Sequence, residues 1–242
     1  MIAKNKINNL NKQFLNLTIE ERIIEAHKIF GDKLIFASSL GAEDQIITHY
    51  IATNCLEVRI ITLDTGRLFP ETYKLMDATR KQYNKTIEVV FPDYQNVEAM
   101  VNKHGVNLFY ESVELRKLCC KVRKIEPLKR VLNDYDAWIT GLRREQSITR
   151  TNTQLVEWDE TFGLIKINPL LDLTERDMWG LIAMHTIPYN SLHDKNFPSI
   201  GCQPCTRAVN PGEDIRSGRW WWEKPEHKEC GLHLKDTPDS KQ

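Results

Sequence analysis

The stretch LRKLCCKVRKIEPLKR, residues 115–130, sets two adjacent cysteines, Cys119 and Cys120, among seven lysines or arginines and a single acid. A second pair, Cys202 and Cys205, follows in SIGCQPCTR, and Cys55 and Cys230 stand alone. Four thiolates in two close pairs are the donor set of a zinc ion or an iron–sulfur cluster. Zinc usually draws its pairs from cysteines separated by a few residues, whereas adjacent cysteines must diverge to reach one metal. The irons of a four-iron cube are spread over several ångströms, so neighbours can each take a separate iron. The spacing leans toward iron–sulfur and leaves zinc open. Cys55 reads as a buried apolar residue.

Three further stretches carry hydroxyls, glycines and arginines in the manner of an anion site. In SSLGAED (38–44), Ser38, Ser39 and Gly41 precede a helical pattern, with Asp44 in its first turn; backbone N–H groups at such a helix start can face phosphate oxygens. The Lys of a Walker A loop is missing, which argues against a P-loop NTPase. In LDTGRLFPE (63–71), Gly66 permits close backbone approach to a ligand, flanked by Asp64, Thr65 and Arg67. In TGLRREQS (140–147), Arg143, Arg144 and Gln146, with Arg150 beyond, form a candidate clamp for an anionic group.

What must position these loops is legible in the periodicity. KLIFAS (33–38), VRIITL (58–63), TIEVVF (86–91) and AWIT (137–140) are short β-rich runs, separated by helical stretches such as 42–52 and 69–83. The alternation predicts an α/β fold, a mostly parallel sheet with helices on both faces. Ligands of such folds bind beyond the carboxyl ends of the strands, where all three stretches fall, so together they describe a nucleotide pocket. From Pro204 the period is lost in favour of Pro, Gly, three successive tryptophans and charges. We therefore expect a nucleotide-binding domain over 1–203 and an irregular C-terminal segment over 204–242. Trp220 to Trp222 read as its anchor, since an exposed triple tryptophan invites aggregation.

Composition narrows the function class. Lys plus Arg equals Asp plus Glu at 33 each, so no polyelectrolyte character points to nucleic acid or to a membrane surface. MIAKNKINNLNKQF lacks the apolar core of a signal peptide, and no run of about 18 apolar residues is present. A cytoplasmic protein is expected, in which clustered cysteines serve metal or redox chemistry rather than a disulfide framework.

In order along residues 30–234, SSLGAED, LDTGRLFPETY, CCKVRKIEPL, TGLRREQS, INPLLDLTERDMW, IPYNSLH, SIGCQPCTR, GEDIRSGRWWWE and KECGLH closely resemble the thioredoxin-dependent adenylylsulfate reductases. These are enzymes of sulfate assimilation and cysteine biosynthesis within the phosphoadenylylsulfate reductase superfamily. The resemblance implies a Rossmann-like fold of the adenine nucleotide alpha-hydrolase type. It implies one 4Fe-4S cluster on Cys119, Cys120, Cys202 and Cys205, and Cys230 as the nucleophile. Relatives acting on the 3′-phosphorylated nucleotide without a cluster lack both pairs, so adenosine 5′-phosphosulfate is the expected substrate. Reduction of the 3′-phosphorylated nucleotide, or of both, is the alternative. Lys121 and Leu40 stand where relatives vary. The expected partners are thioredoxin or glutaredoxin and further copies of this chain.

The implied reaction is attack by the Cys230 thiolate on the sulfuryl group, loss of AMP, and release of sulfite by thioredoxin. The neighbours of Cys230, among them Glu226 and Glu229, do not lower a thiol pKa, so Arg216, Arg219 and His233 are expected to supply positive charge. Arg123 and Lys124 follow the first cysteine pair directly; Lys124 is favoured as the cation bridging cluster and sulfate. Two rivals fit less well. An adenylating relative would carry SGGxDS in its first loop, and an iron–sulfur or zinc regulator on nucleic acid would need one continuous basic face.

Overall fold

In this computed structural model the described residues are 2–146, 150 and 152–224. Two helices lead, α1 (Ile2–Leu15) and α2 (Ile19–Phe30), the second opened by a capping box in which Thr18 and Glu21 satisfy each other's backbone N–H groups. Then β1 (Leu34–Ser38), α3 (Ala42–Thr53), β2 (Arg59–Leu63), α4 (Pro70–Tyr83) and β3 (Ile87–Val90) alternate as the periodicity predicts. Helices α5 (Tyr94–His104), α6 (Val113–Cys120) and α7 (Glu126–Leu132) precede β4 (Ala137–Ile139). The chain continues through β5 (Val156–Asp159), β6 (Leu164–Ile167) and α8 (Glu175–Met184).

The sheet runs β3-β2-β1-β4-β6-β5. Every pairing is parallel except β5 with β6, so the sheet is mostly parallel with one antiparallel edge. Strands β5 and β6 are additions to the four expected. Each has only four residues, too few to show a period. Asn11 of α1 closes that edge: its amide donates to the Val156 carbonyl at 2.6 Å and accepts from the Val156 N–H at 3.0 Å.

Alternation along β1 divides the core. Leu34 and Phe36 join the α1, α2, α3 and α8 side, while Ile35 joins Leu128, Leu132 and Trp138 beneath α7. A third cluster forms off the sheet, where Met100, Leu108, Phe109 and Trp220 enclose the four paired cysteines. Trp220 is fully buried and anchors its segment as expected, while Trp221 is exposed. The segment from 204 is tied to the cysteine loop through an isolated bridge between Thr206 and Arg219 and a bond from Trp220 N–H to the Cys205 carbonyl. Cys55 departs from expectation: it is exposed, at positive φ (53°), in the turn that ends α3. The left-handed turn points it away from the apolar face. Among the described residues no helix is long and apolar enough to cross a membrane.

Candidate active site

The first loop is built around one carboxylate. Asp44, in the first turn of α3, accepts from the Ser39 N–H at 2.5 Å and the Ser39 hydroxyl at 2.6 Å. Leu40 takes a left-handed conformation (φ 59°), unusual for a branched side chain and held here by burial of that side chain. The Ser38 hydroxyl accepts from its N–H at 3.1 Å. Gly141, after β4, lies so close that a Cβ there would collide with the Asp44 carboxylate. Asp44 thus joins the loops after β1 and β4. Burial pushes its pKa up to about 6, against the Ser39 hydrogen bonds.

The second loop faces the cysteines. Asp64 accepts from the Gly66 N–H at 2.7 Å and the Tyr73 hydroxyl at 2.9 Å. Gly66 has φ 72°, and a Cβ there would press on the Arg123 guanidinium. Arg123 in turn donates to the Thr65 carbonyl at 2.7 Å. The Thr65 hydroxyl lies 3.2 Å from the Cys202 sulfur, and the Gln203 N–H donates to the Arg67 carbonyl at 2.8 Å, fastening the second cysteine pair to β2. The Arg67 side chain points away, donating to the Val106 carbonyl and lying 5.2 Å over the Phe109 ring.

Between α6 and α7 the helix passes through a π-helical turn, Lys121–Ile125, directly after Cys119 and Cys120. The wider turn holds an extra residue, a device recurrent at functional sites. Here it aims Arg123 at the β2 loop while Lys124 faces the cavity.

The fourth-strand loop is internally committed. Arg143 pairs with Glu43 at 2.8 Å, and the Gln146 amide donates to the same carboxylate at 2.8 Å. Arg150 donates to the Gln146 carbonyl. Arg144 pairs with Asp172 at 2.8 Å.

These loops surround a cavity of about 850 Å³. Of the expected site residues, Ser38, Ser39, Gly41, Asp44, Thr65, Lys124, Arg143, Gln146, Arg150, Cys202, Arg216 and Arg219 line it. Asp64, Gly66, Arg67 and Arg144 stand behind the wall, bonded to it or to neighbouring backbone. A narrower cavity of about 20 Å³ is lined by all four paired cysteines together with Arg67, Arg116, Arg123 and Trp220, and Lys124 and Cys202 border both spaces. The four thiols are buried and free of disulfides; burial raises the Cys119 pKa and pushes that of Cys205 up to about 12. Among the described residues no three His, Cys, Asp or Glu side chains are arranged around a single metal ion. Cys230 and His233 lie outside the described residues.

Residues missed in sequence reasoning include Arg116 and Glu223, a bidentate pair with bonds of 2.9 and 2.8 Å and almost no exposure. Arg116 and Arg219 both stack on Trp220 at 4.7 Å. An acidic part of the cavity wall, with Glu43, Glu175 and Asp194 around His193, was also missed. Its GAED and NSLH signals were present but gave no spacing rule to read.

Residues 33–208 match the phosphoadenosine phosphosulfate reductase domain. The chain belongs to this family. It is 51% identical over 205 residues to the adenosine 5′-phosphosulfate reductase of Allochromatium vinosum, covering 85% of this chain and 80% of that one. With the enzyme of the same name from Sinorhizobium fredii (strain USDA 257) the identity is 47% over 231 residues, covering 96% and 92%. Among solved structures, a phosphoadenylyl-sulfate reductase from Candida auris in a phosphate complex is 27% identical, with TM-score 0.70, covering 84% of this chain and 96% of that one. An FMN adenylyltransferase from Candida glabrata in complex with ATP, 14% identical with TM-score 0.52 over 91% and 81%, shares the fold alone. As a member of the reductase family the chain is an oxidoreductase.

Proposed function

We propose that this chain reduces adenosine 5′-phosphosulfate to sulfite and AMP in the cytoplasm, within sulfate assimilation and cysteine biosynthesis, with thioredoxin as electron donor. The observation that carries the reading is the shared wall: Lys124 and Cys202 border both the nucleotide-sized cavity and the four-cysteine cavity. Relatives about half identical over most of the chain bear the adenosine 5′-phosphosulfate reductase name.

The donor set fits a metal cluster. Four buried thiols converge on one space with no carboxylate in its lining among the described residues, and the Arg123 Nε beside them is buried without a partner. The fit lies in the donors rather than in a preformed void. Cys119, Cys120, Cys202 and Cys205 would hold one 4Fe-4S cluster, which when bound supplies fixed negative charge near the sulfate and passes no electrons to it. An anionic substrate beside an anionic centre costs about 4 kcal/mol per pair of unit charges at close range and an effective dielectric near 20. Lys124, whose charge is felt at both Cys119 and Cys205, would offset that repulsion.

The sequence of bonds is as follows. The Cys230 thiolate attacks the sulfur of the sulfuryl group, forming an S–S bond as the S–O bond to AMP breaks and AMP leaves with the electron pair. A thioredoxin thiolate then attacks the Cys230 sulfur and expels sulfite, and the second thioredoxin thiol releases Cys230 as thioredoxin becomes a disulfide. Thioredoxin supplies the two electrons. Arg216 and Arg219 on the cavity wall would hold the sulfate and, with His233, lower the Cys230 pKa.

The test is anaerobic purification with iron and sulfide analysis, then sulfite release from adenosine 5′-phosphosulfate and from its 3′-phosphorylated form with reduced thioredoxin. The expected result is about four irons per chain, preference for the first nucleotide, and no single-turnover S-sulfonation in Cys230→Ser. Lys124→Gln is expected to keep its iron and lose turnover by about a hundredfold or more. Zinc in place of iron, or undiminished sulfonation of the serine variant, would end the proposal.

A further inference from the structure

The two ends of the large cavity differ in chemistry. Near Cys205 the neighbouring charges are Lys124 and Arg219; near His193 they are Asp194, Glu175 and Glu43, the last paired with Arg143 at 2.8 Å. His193 ends the IPYNSLH stretch, which the sulfur chemistry leaves unused, and opens a short 3-10 turn, His193–Lys195. Its ring is held edge-on by Trp179 at 5.3 Å, and Tyr189 packs at 6.4 Å while donating its hydroxyl to Asp194 at 3.1 Å.

The Nε2 atom of His193 is buried and has no hydrogen-bond partner. Burial holds the pKa of the ring below its ordinary value despite the three carboxylates, so the ring is neutral near pH 7. The Phe197 backbone acts on the ring in the sense that favours protonation, as a carbonyl neighbour does and an N–H neighbour does not. The N–H is therefore assigned to Nδ1, since Nε2 has no partner, and Nε2 is left as a lone-pair acceptor. A buried acceptor without a donor carries a desolvation cost that a matching ligand group removes. Phosphate and sulfate oxygens offer no proton and meet an acidic wall here. The matching group is an uncharged N–H or O–H.

Resting on the nucleotide reading above, we infer that His193 Nε2 accepts a hydrogen bond from the nucleoside, either a ribose hydroxyl or the adenine amino group. His193 is then a specificity-determining residue that orients the nucleotide, keeping its uncharged end at the acidic wall and its anionic end at Lys124 and the cysteines.

Calorimetric titration of the anaerobically purified holoenzyme tests this with AMP, inosine 5′-monophosphate, 2′-deoxy-AMP and 3′-deoxy-AMP, against wild type, His193→Phe and His193→Gln. His193→Phe keeps an aromatic ring against Trp179, and is expected to bind AMP about tenfold more weakly. His193→Gln, which can return an acceptor near Nε2, is expected to lie within about threefold of wild type. One of the three analogues, penalised on wild type, is expected to lose that penalty on His193→Phe, which identifies the donor. A purely structural role would weaken all four ligands alike. Unchanged AMP affinity in His193→Phe, or full retention of every analogue's penalty, overturns the inference while leaving sulfite production intact. Wild-type protein that binds no AMP would remove the nucleotide reading itself, and this inference with it.

Discussion

Asp44 shows how one carboxyl can serve a site at the expense of stability. It is buried, and its pKa is raised from 3.8 to about 6, chiefly by desolvation. A raised folded pKa means that the native state binds the proton more tightly than the unfolded chain between those values. The group's contribution to stability is thus most favourable below about pH 4 and declines as pH rises through 6. Above that the ionised form carries a cost of about 3 kcal/mol. It persists because the same oxygen takes both the Ser39 N–H and hydroxyl and fixes the loop at the strand end. In Asp44→Asn the titration is gone. Urea unfolding of variant and wild type is expected to show the variant gaining about 2 kcal/mol, relative to wild type, between pH 4.5 and pH 7.5. A difference that stays flat with pH would mean the carboxyl is solvated. The sequence marked Asp44 as a first-turn acid; what it did not carry was the approach of Gly141 from a loop almost a hundred residues later.

At the scale of elements, the two cysteine pairs and the root of the C-terminal segment form one assembly. Helix α6 carries Arg116 one turn before Cys119 and Cys120, and Glu223 meets it through two buried bonds. Trp220 stacks against both Arg116 and Arg219, and its N–H holds the Cys205 carbonyl. Glu223 neutralises Arg116, so the two guanidinium groups on one ring are not both uncompensated. The sequence did not carry this packing, because the pairing spans 107 positions and leaves no local pattern. The strand and helix pattern through β4 was readable because each segment keeps its own period, and the edge strands were not, being too short to show one. Removing one member of a buried pair costs more than removing both. Glu223→Leu is expected to lose about 3–5 kcal/mol of stability, and Arg116→Met with Glu223→Leu to recover most of it. A double variant whose loss in chemical denaturation equals the sum of the Arg116→Met and Glu223→Leu losses would show that the pair is not coupled.

On the scale of the molecule, a chain of zero formal charge nonetheless gathers cations at one end of a cavity and carboxylates at the other. The cavity wall comes from the loops after β1, β2 and β4, from α8, and from residues 196–219. Filling it ties distant parts of the sequence together, so ligand binding should stabilise the whole fold rather than one loop. For a site bound only in the native state, nucleotide at a hundred times its dissociation constant adds about 2.7 kcal/mol. In a chain of this size that raises the thermal midpoint by about 5–10 °C. The measurement is a scan of the anaerobically purified protein with AMP at that excess, following both tryptophan fluorescence and the absorbance of the proposed cluster. Trp220 lies in the cysteine cluster and Trp138 in strand β4 of the sheet, so fluorescence reports both regions. The two signals are expected to move together, because Lys124 and Cys202 belong to both cavities. A shift in cluster absorbance alone, with the fluorescence midpoint unmoved, would mean that the cysteine region unfolds independently of the sheet and that the shared wall does not couple them.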